Sequence, residues 1–399
     1  MSQIFNARTF ARSVRVSAVL AVVAIGSLPA FDAQAANKPA RLLHAFTSST
    51  DGYGAAPALQ HGANDRFYGV NSLEGPLGGG TVYAFDRYGS FTVLHAFNSL
   101  TEGSEPMRRV AISENGLMYG VLKSGANGCG AIFRLSTTGD SFAIMYKFKG
   151  TTDGCGSTSG LVQGADGSYY GTATSGGSAG WGTVFRWDPL KGFKTLHHFT
   201  RANGDGGYPL NGVTLSADGK SVYGVTNRGG SEDGGVLFKV QTDGTGYQVL
   251  HSMEESFGSW ASSELILAKD GNFYGAAERG GSGNHGTLYR MTPSGETSLV
   301  YAFQSFGVAG YSPAGPLTEG RDGLLYGTTQ YDGAYKNGTL FALGRDGQMT
   351  IMHAFSDGDA IGSNARGGLA KAHGYLYGAT GSRPGSLFRI RKLLPETQQ

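Results

Sequence analysis

Apolar residues in this chain fall in short runs that show no helical spacing. The runs "GTVYAFD" (Gly80–Asp86), "GTVFRWD" (Gly182–Asp188), "GTLYRMT" (Gly286–Thr292) and "GTLFALG" (Gly338–Gly344) are rich in β-branched and aromatic residues. Asp-Gly or Asn-Gly pairs separate neighbouring runs, as at Asp166-Gly167, Asp270-Gly271, Asp322-Gly323 and Asp346-Gly347. Gly supplies the positive φ that a tight hairpin needs, so this punctuation predicts antiparallel strands. Seven Tyr-Gly pairs, from Tyr68-Gly69 to Tyr377-Gly378, recur at intervals of 51 to 53 residues. A fixed period of that size marks a repeat architecture. Each unit offers four strand candidates: a short inner one, one carrying Tyr-Gly, one of the "GTVF" type and one of the "TVLHAF" type. The prediction is an all-β, seven-bladed β-propeller of four-stranded antiparallel blades.

One strand is out of order. The phrase of Thr92–Phe97, "TVLHAF", has counterparts in "KTLHHF" (Lys194–Phe199) and "TIMHAF" (Thr350–Phe355), but also in "RLLHAF" (Arg41–Phe46), before the first unit begins. The last unit ends after its third strand, "GSLFRI" (Gly385–Ile390). The N-terminal strand is therefore expected to complete the last blade and close the ring, which leaves no blade with an open edge.

The alternation of "LYGTTQYDG", "GTVFRWD" and "VLHAF" phrases resembles the GloVer tandem-repeat family of bacterial proteins. The resemblance covers the chain from the first outer strand onward. It implies an exported, often surface-attached repeat protein and carries no established activity. An anchor is not evident: "LPETQQ" (Leu394–Gln399) lacks the Gly and the apolar tail of a sortase signal.

Residues 1–35 read as a secretory signal peptide. Arg8, Arg12 and Arg15 precede an apolar stretch, Val16–Phe31, and "AQA" (Ala33–Ala35) offers small residues for cleavage. Residues 36–399 are then one propeller domain, periplasmic or secreted, with no transmembrane segment. A net charge of +2, spread evenly, gives no footprint for nucleic acid. A monomer is expected. Export permits the only two cysteines, Cys129 and Cys155, to pair. Their positions, one ending a loop between second and third strands and one in the next blade-to-blade connection, share one face of the ring.

Most conspicuous residues have structural explanations. The Tyr-Gly pairs belong to blade packing. His44, His95 and His353 share a register in outer strands, spread around the rim, and predict no metal site. "GGSAG" (Gly176–Gly180) matches G-x-S-x-G without the following helix that makes such a serine a nucleophile. No cofactor is indicated.

Function is sought where the repeats disagree. On the face expected to carry the Gly-rich loops, the unique residues are Arg108, Arg109, Lys123, Arg228, Glu264, Glu278, Arg279, His285, Tyr331 and Arg366, with Trp260, Tyr208 and Tyr311 nearby. Arginines suit carboxylates and aromatic rings stack on sugars. The set predicts a ligand-binding face for a glycan or a protein partner. The alternative is a lyase acting on a uronate-containing polysaccharide, with an arginine neutralising the carboxylate and Tyr331 or His285 moving protons.

Overall fold

The computed structural model describes residues 40–54, 58–125, 128–305 and 307–392; the signal-peptide reading and the C-terminal "LPETQQ" lie outside them. Among the described residues, seven antiparallel sheets of four or five strands follow one another around a central channel, and a two-stranded pair, Gly206–Gly207 with Arg228–Gly229, accompanies the fourth. The first blade comprises Gln60–His61, Phe67–Asn71, Gly78–Phe85 and Phe91–Asn98, from the channel outward. In the second and fifth blades the inner strand is in two pieces, Ser104–Pro106 with Ala111–Ile112, and Ser259–Ala261 with Ile266–Leu267. The seventh sheet runs Ala370–Ala372, Tyr375–Ala379, Ser386–Arg391 and then Arg41–Ala45. The N-terminal strand closes the ring as its sequence predicted. A single short helix, Ser48–Asp51, follows that strand among the described residues.

The Tyr-Gly pair has one packing role, repeated seven times. Each of its glycines lies directly opposite an aromatic residue of the third strand: Gly69 with Tyr83, Gly120 with Phe133, Gly171 with Phe185, and so on to Gly378 with Phe388. A Cβ on Gly120 would stand 2.4 Å from the Phe133 ring. Absence of that atom lets the ring lie flat on the backbone, which is why Gly is kept mid-strand despite its entropic cost. The neighbouring tyrosine is buried between blades; Tyr68, for example, packs with Val110, Met118 and Phe133 of the second blade.

At the rim, the outer-strand histidines seal one blade to the next. His44 stacks on Phe91 with ring centroids 3.9 Å apart, His95 on Phe142 at 4.0 Å, and His197 on Tyr247 at 3.4 Å. The same imidazoles meet carboxylates in the connection to the next blade, Asp51, Glu102 and Asp205. Cys129 and Cys155 form a disulfide across a separation of 26 residues. On a chain-entropy argument, a crosslink of that length contributes about 3 kcal/mol. No helix among the described residues is long and apolar enough to cross a membrane.

Candidate functional site

Hairpin geometry sorts the loops. The tight Asp-Gly turns emerge on one face, here the lower, and the Gly-rich loops and blade-to-blade connections on the other, the upper. Each connection enters its blade through one residue in the left-handed region of φ: Gly54, Glu105, Gly156, Tyr208, Trp260, Ser312 and Asn364. This conformation turns the backbone N–H back toward the preceding blade. Tyr208 donates to the carbonyl of Trp181, Ser312 to that of His285 and Asn364 to that of Asn337. Two blades use glycine here, which adopts the conformation without penalty, whereas Trp260 at φ 56° and Tyr208 at φ 53° are strained side-chain-bearing residues.

Four residues further along, the equivalent positions are Ala58, Arg109, Gly160, Gly212, Glu264, Pro316 and Gly368. Five are small or apolar, and the two charged ones meet. Arg109 Nη1 lies 3.0 Å from Glu264 Oε1, bridging the second and fifth blades, and Glu264 is only 4% exposed. Arg108 turns the same way. Its Nη2 donates to Asn211 Oδ1 at 2.9 Å and its Nε to the Thr158 carbonyl at 3.3 Å, while Asn211 Nδ2 donates to the carbonyl of Ala261. Desolvation lowers the Arg108 pKa below the ordinary arginine value, with Glu264 opposing the shift. Arg109 and Glu264 line a channel cavity of about 290 Å³ together with Gln60, Pro316, Thr318 and Lys371. Arg109 and Glu264 are thus paired with each other inside the ring, and Arg108 is held by Asn211 and Thr158.

The upper face gathers a second group. Trp260 has the Arg279 guanidinium 4.1 Å from its ring centroid and that of Arg228 at 4.9 Å. Arg228 leans on Asp233 at 3.5 Å; Arg201 reaches the same carboxylate at 2.7 Å and also covers Trp181 at 4.4 Å. Trp181 in turn meets Tyr208 edge-on at 5.1 Å. Arg201 and Trp181 were missed by sequence reasoning, although Trp181 precedes its "GTVF" phrase just as His285 precedes "GTLY". A groove of about 270 Å³ runs along Arg228, Trp260 and Arg279, with Glu232, Asp233 and Glu255 also in its wall. Arg279 is exposed and holds no carboxylate among the described residues.

The remaining predicted residues lie apart. His285 packs against Tyr311 at 4.9 Å, and Tyr311 against Tyr331 at 5.4 Å. Lys123 Nζ pairs with Glu105 at 2.7 Å. Glu278 is half-buried in the strand Phe273–Arg279, and Arg366 is exposed, donating to Asn364 Oδ1 at 2.8 Å.

Comparison with known proteins agrees with this architecture. The model of the Gloeobacter/Verrucomicrobia repeat matches residues 29–165, 111–313 and 157–388. The chain belongs to this repeat family. No match to this repeat protein was found among the curated proteins. Among solved structures, an oligogalacturonate lyase in complex with manganese aligns with a TM-score of 0.55 at 12% identity, over 90% of this chain and 97% of its own. A puromycin hydrolase aligns at 0.51 and 11% identity, over 86% of this chain and 53% of its own. At such identities the repeat protein shares a fold with these enzymes, and fold alone assigns no chemistry.

Proposed function

We propose that this repeat protein is an exported binding propeller whose upper face takes a carboxylate-bearing glycan along the groove at Trp260. The supporting observation is the environment of Trp260. A bulky indole is held at a strained left-handed position where two other blades use glycine, and two arginines flank it. Strain of this kind persists where the surrounding structure imposes it and concentrates at ligand sites. Arg279 offers an unoccupied guanidinium fork for a uronate carboxylate, and the indole edge offers an apolar surface to the sugar. The signal-peptide-like pattern read in residues 1–35 and the disulfide, which suits an oxidising compartment, support export.

The lyase reading needs a proton-moving Tyr or His beside the carboxylate-binding arginines. Here His285 and Tyr331 gather around Tyr311, while Arg109 is engaged by Glu264. Among the described residues no hydrogen bond, ion pair or ring contact joins His285 or Tyr331 to Arg109, Arg228 or Arg279, which favours binding over catalysis.

The test is calorimetric titration of the processed chain with oligogalacturonate, alginate oligomers and a neutral glucan, with ultraviolet absorbance followed in parallel. Saturable heat with the acidic oligomers alone, without new absorbance, is expected. Growth of the unsaturated-uronate absorbance would establish the lyase instead. Absence of heat with every glycan would overturn the glycan reading and turn attention to protein partners.

A further inference from the structure

On the opposite face, two turns depart from the repeat, and they converge. Five blades build the turn between first and second strands from Asp or Asn followed by Gly in the left-handed region: Gly116, Gly167, Gly219, Gly271 and Gly323. The side chain before each glycine caps its own turn; Asp166 Oδ1, for instance, accepts from the Ser168 N–H. In the first blade Asn64 takes that capping role for Arg66, and the glycine position is filled by Asp65 at φ 60°. Its carboxylate is not needed by the turn. In the seventh blade the tight turn is His373-Gly374, with His373 at φ 51°, where Asn is the usual occupant of such a pair.

The two anomalous side chains meet across the seam where the ring closes. His373 Nε2 lies 2.5 Å from Asp65 Oδ1, and His61 Nε2 lies 3.0 Å from the same oxygen. His61 is the only histidine at its register position, which the other blades fill with Ile112, Gln163, Leu215, Leu267, Glu319 and Lys371. All three ligand atoms lie within 4.8 Å of one another.

We propose that His61, Asp65 and His373 form a site for a divalent transition-metal ion of the zinc type, clasping the first blade to the seventh. Two imidazoles and one carboxylate are a donor set that suits zinc, with a fourth position left to water. A tetrahedral ion at ordinary bond lengths places its ligand atoms roughly 3.3 Å apart, so only small side-chain rotations are required. The site is distinct from the upper-face groove and independent of what binds there. The rim histidines considered from sequence play no part in it.

The experiment is calorimetric titration of the untagged, chelator-stripped chain with zinc chloride, alongside thermal melts with and without the ion. One zinc per chain and a raised melting temperature are expected. His373→Asn restores an Asn-Gly turn, and Asp65→Gly restores the turn of the other blades, so both variants should fold at least as well as the parent. Each is expected to weaken zinc binding at least tenfold, whereas His285→Ala on the other face leaves it unchanged. Absence of stoichiometric heat from the parent chain, or unaltered binding in His373→Asn, would overturn the site and leave a hydrogen-bonded clasp only.

Discussion

The imidazole of His197 lies flat on the phenol ring of Tyr247, 3.4 Å between centroids and 5° from parallel, and both side chains turn to Asp205. Tyr247 donates its hydroxyl to Asp205 Oδ1 at 2.5 Å. Partial burial raises the Asp205 pKa, but the hydrogen bonds from His197 and Tyr247 outweigh it and draw the value down to about 2 from an ordinary 3.8. A carboxylate whose pKa is depressed by folding contributes stability above its unfolded pKa and loses it as pH falls through the folded one. Tyr247→Phe is therefore expected to cost about 1–2 kcal/mol at neutral pH. In urea melts the gap between parent and variant should narrow as pH falls from about 4 to about 2. A gap independent of pH would show that ring packing, not the charged hydrogen bond, carries the contact.

Trp260 gives a test that separates binding from folding. At a left-handed position the usual order of alanine over glycine reverses, because the glycine backbone is relaxed there. Trp260→Gly is expected to be more stable than Trp260→Ala by about 1 kcal/mol in denaturant melts. Both should lose acidic-glycan affinity at least tenfold. Retained affinity in the glycine variant would remove the indole from the proposed site.

Inside the channel, Arg109→Ala strands Glu264 with its nearest counter-charge removed. The expected loss is about 3 kcal/mol, since an unpartnered buried carboxylate keeps its full desolvation cost. Arg109→Met combined with Glu264→Gln should recover most of it. A double-mutant cycle by urea unfolding measures this, and additive losses would mean that Arg108, not Arg109, neutralises Glu264.

The blades were legible because their signals are local. Tyr-Gly spacing, Asp-Gly turns and the stray outer strand at Arg41–Phe46 each reside in a few consecutive residues, and the disulfide followed from knowing which loops share a face. The site was legible only as a collection. Arg109 and Glu264 occupy the same register in their repeats, but their contact depends on the width of the channel, which no local pattern encodes. Arg108 was read as facing a ligand, yet the Asn211 amide two blades away draws it inward. Gly54 and Gly156 in register with Trp260 did hint at a strained indole. That signal requires aligning the repeats on their blade entries, not on Tyr-Gly. The same comparison of the lower turns exposes Asp65 and His373, which look like ordinary loop residues until the first and last blades are set side by side.

Closure of the seventh blade pairs a strand that precedes every other blade in the sequence with one that follows them. Arg41–Ala45 is made before any blade, and its partner Ser386–Arg391 after all the others. During translation, that early strand remains an unsatisfied edge while some 340 residues of ring are laid down between the two. A chain cut short anywhere in that interval keeps a bare strand at one end and an unclosed sheet at the other. The ring thus works as a gauge of its own length, in which only a finished chain hides the edges that invite degradation or aggregation.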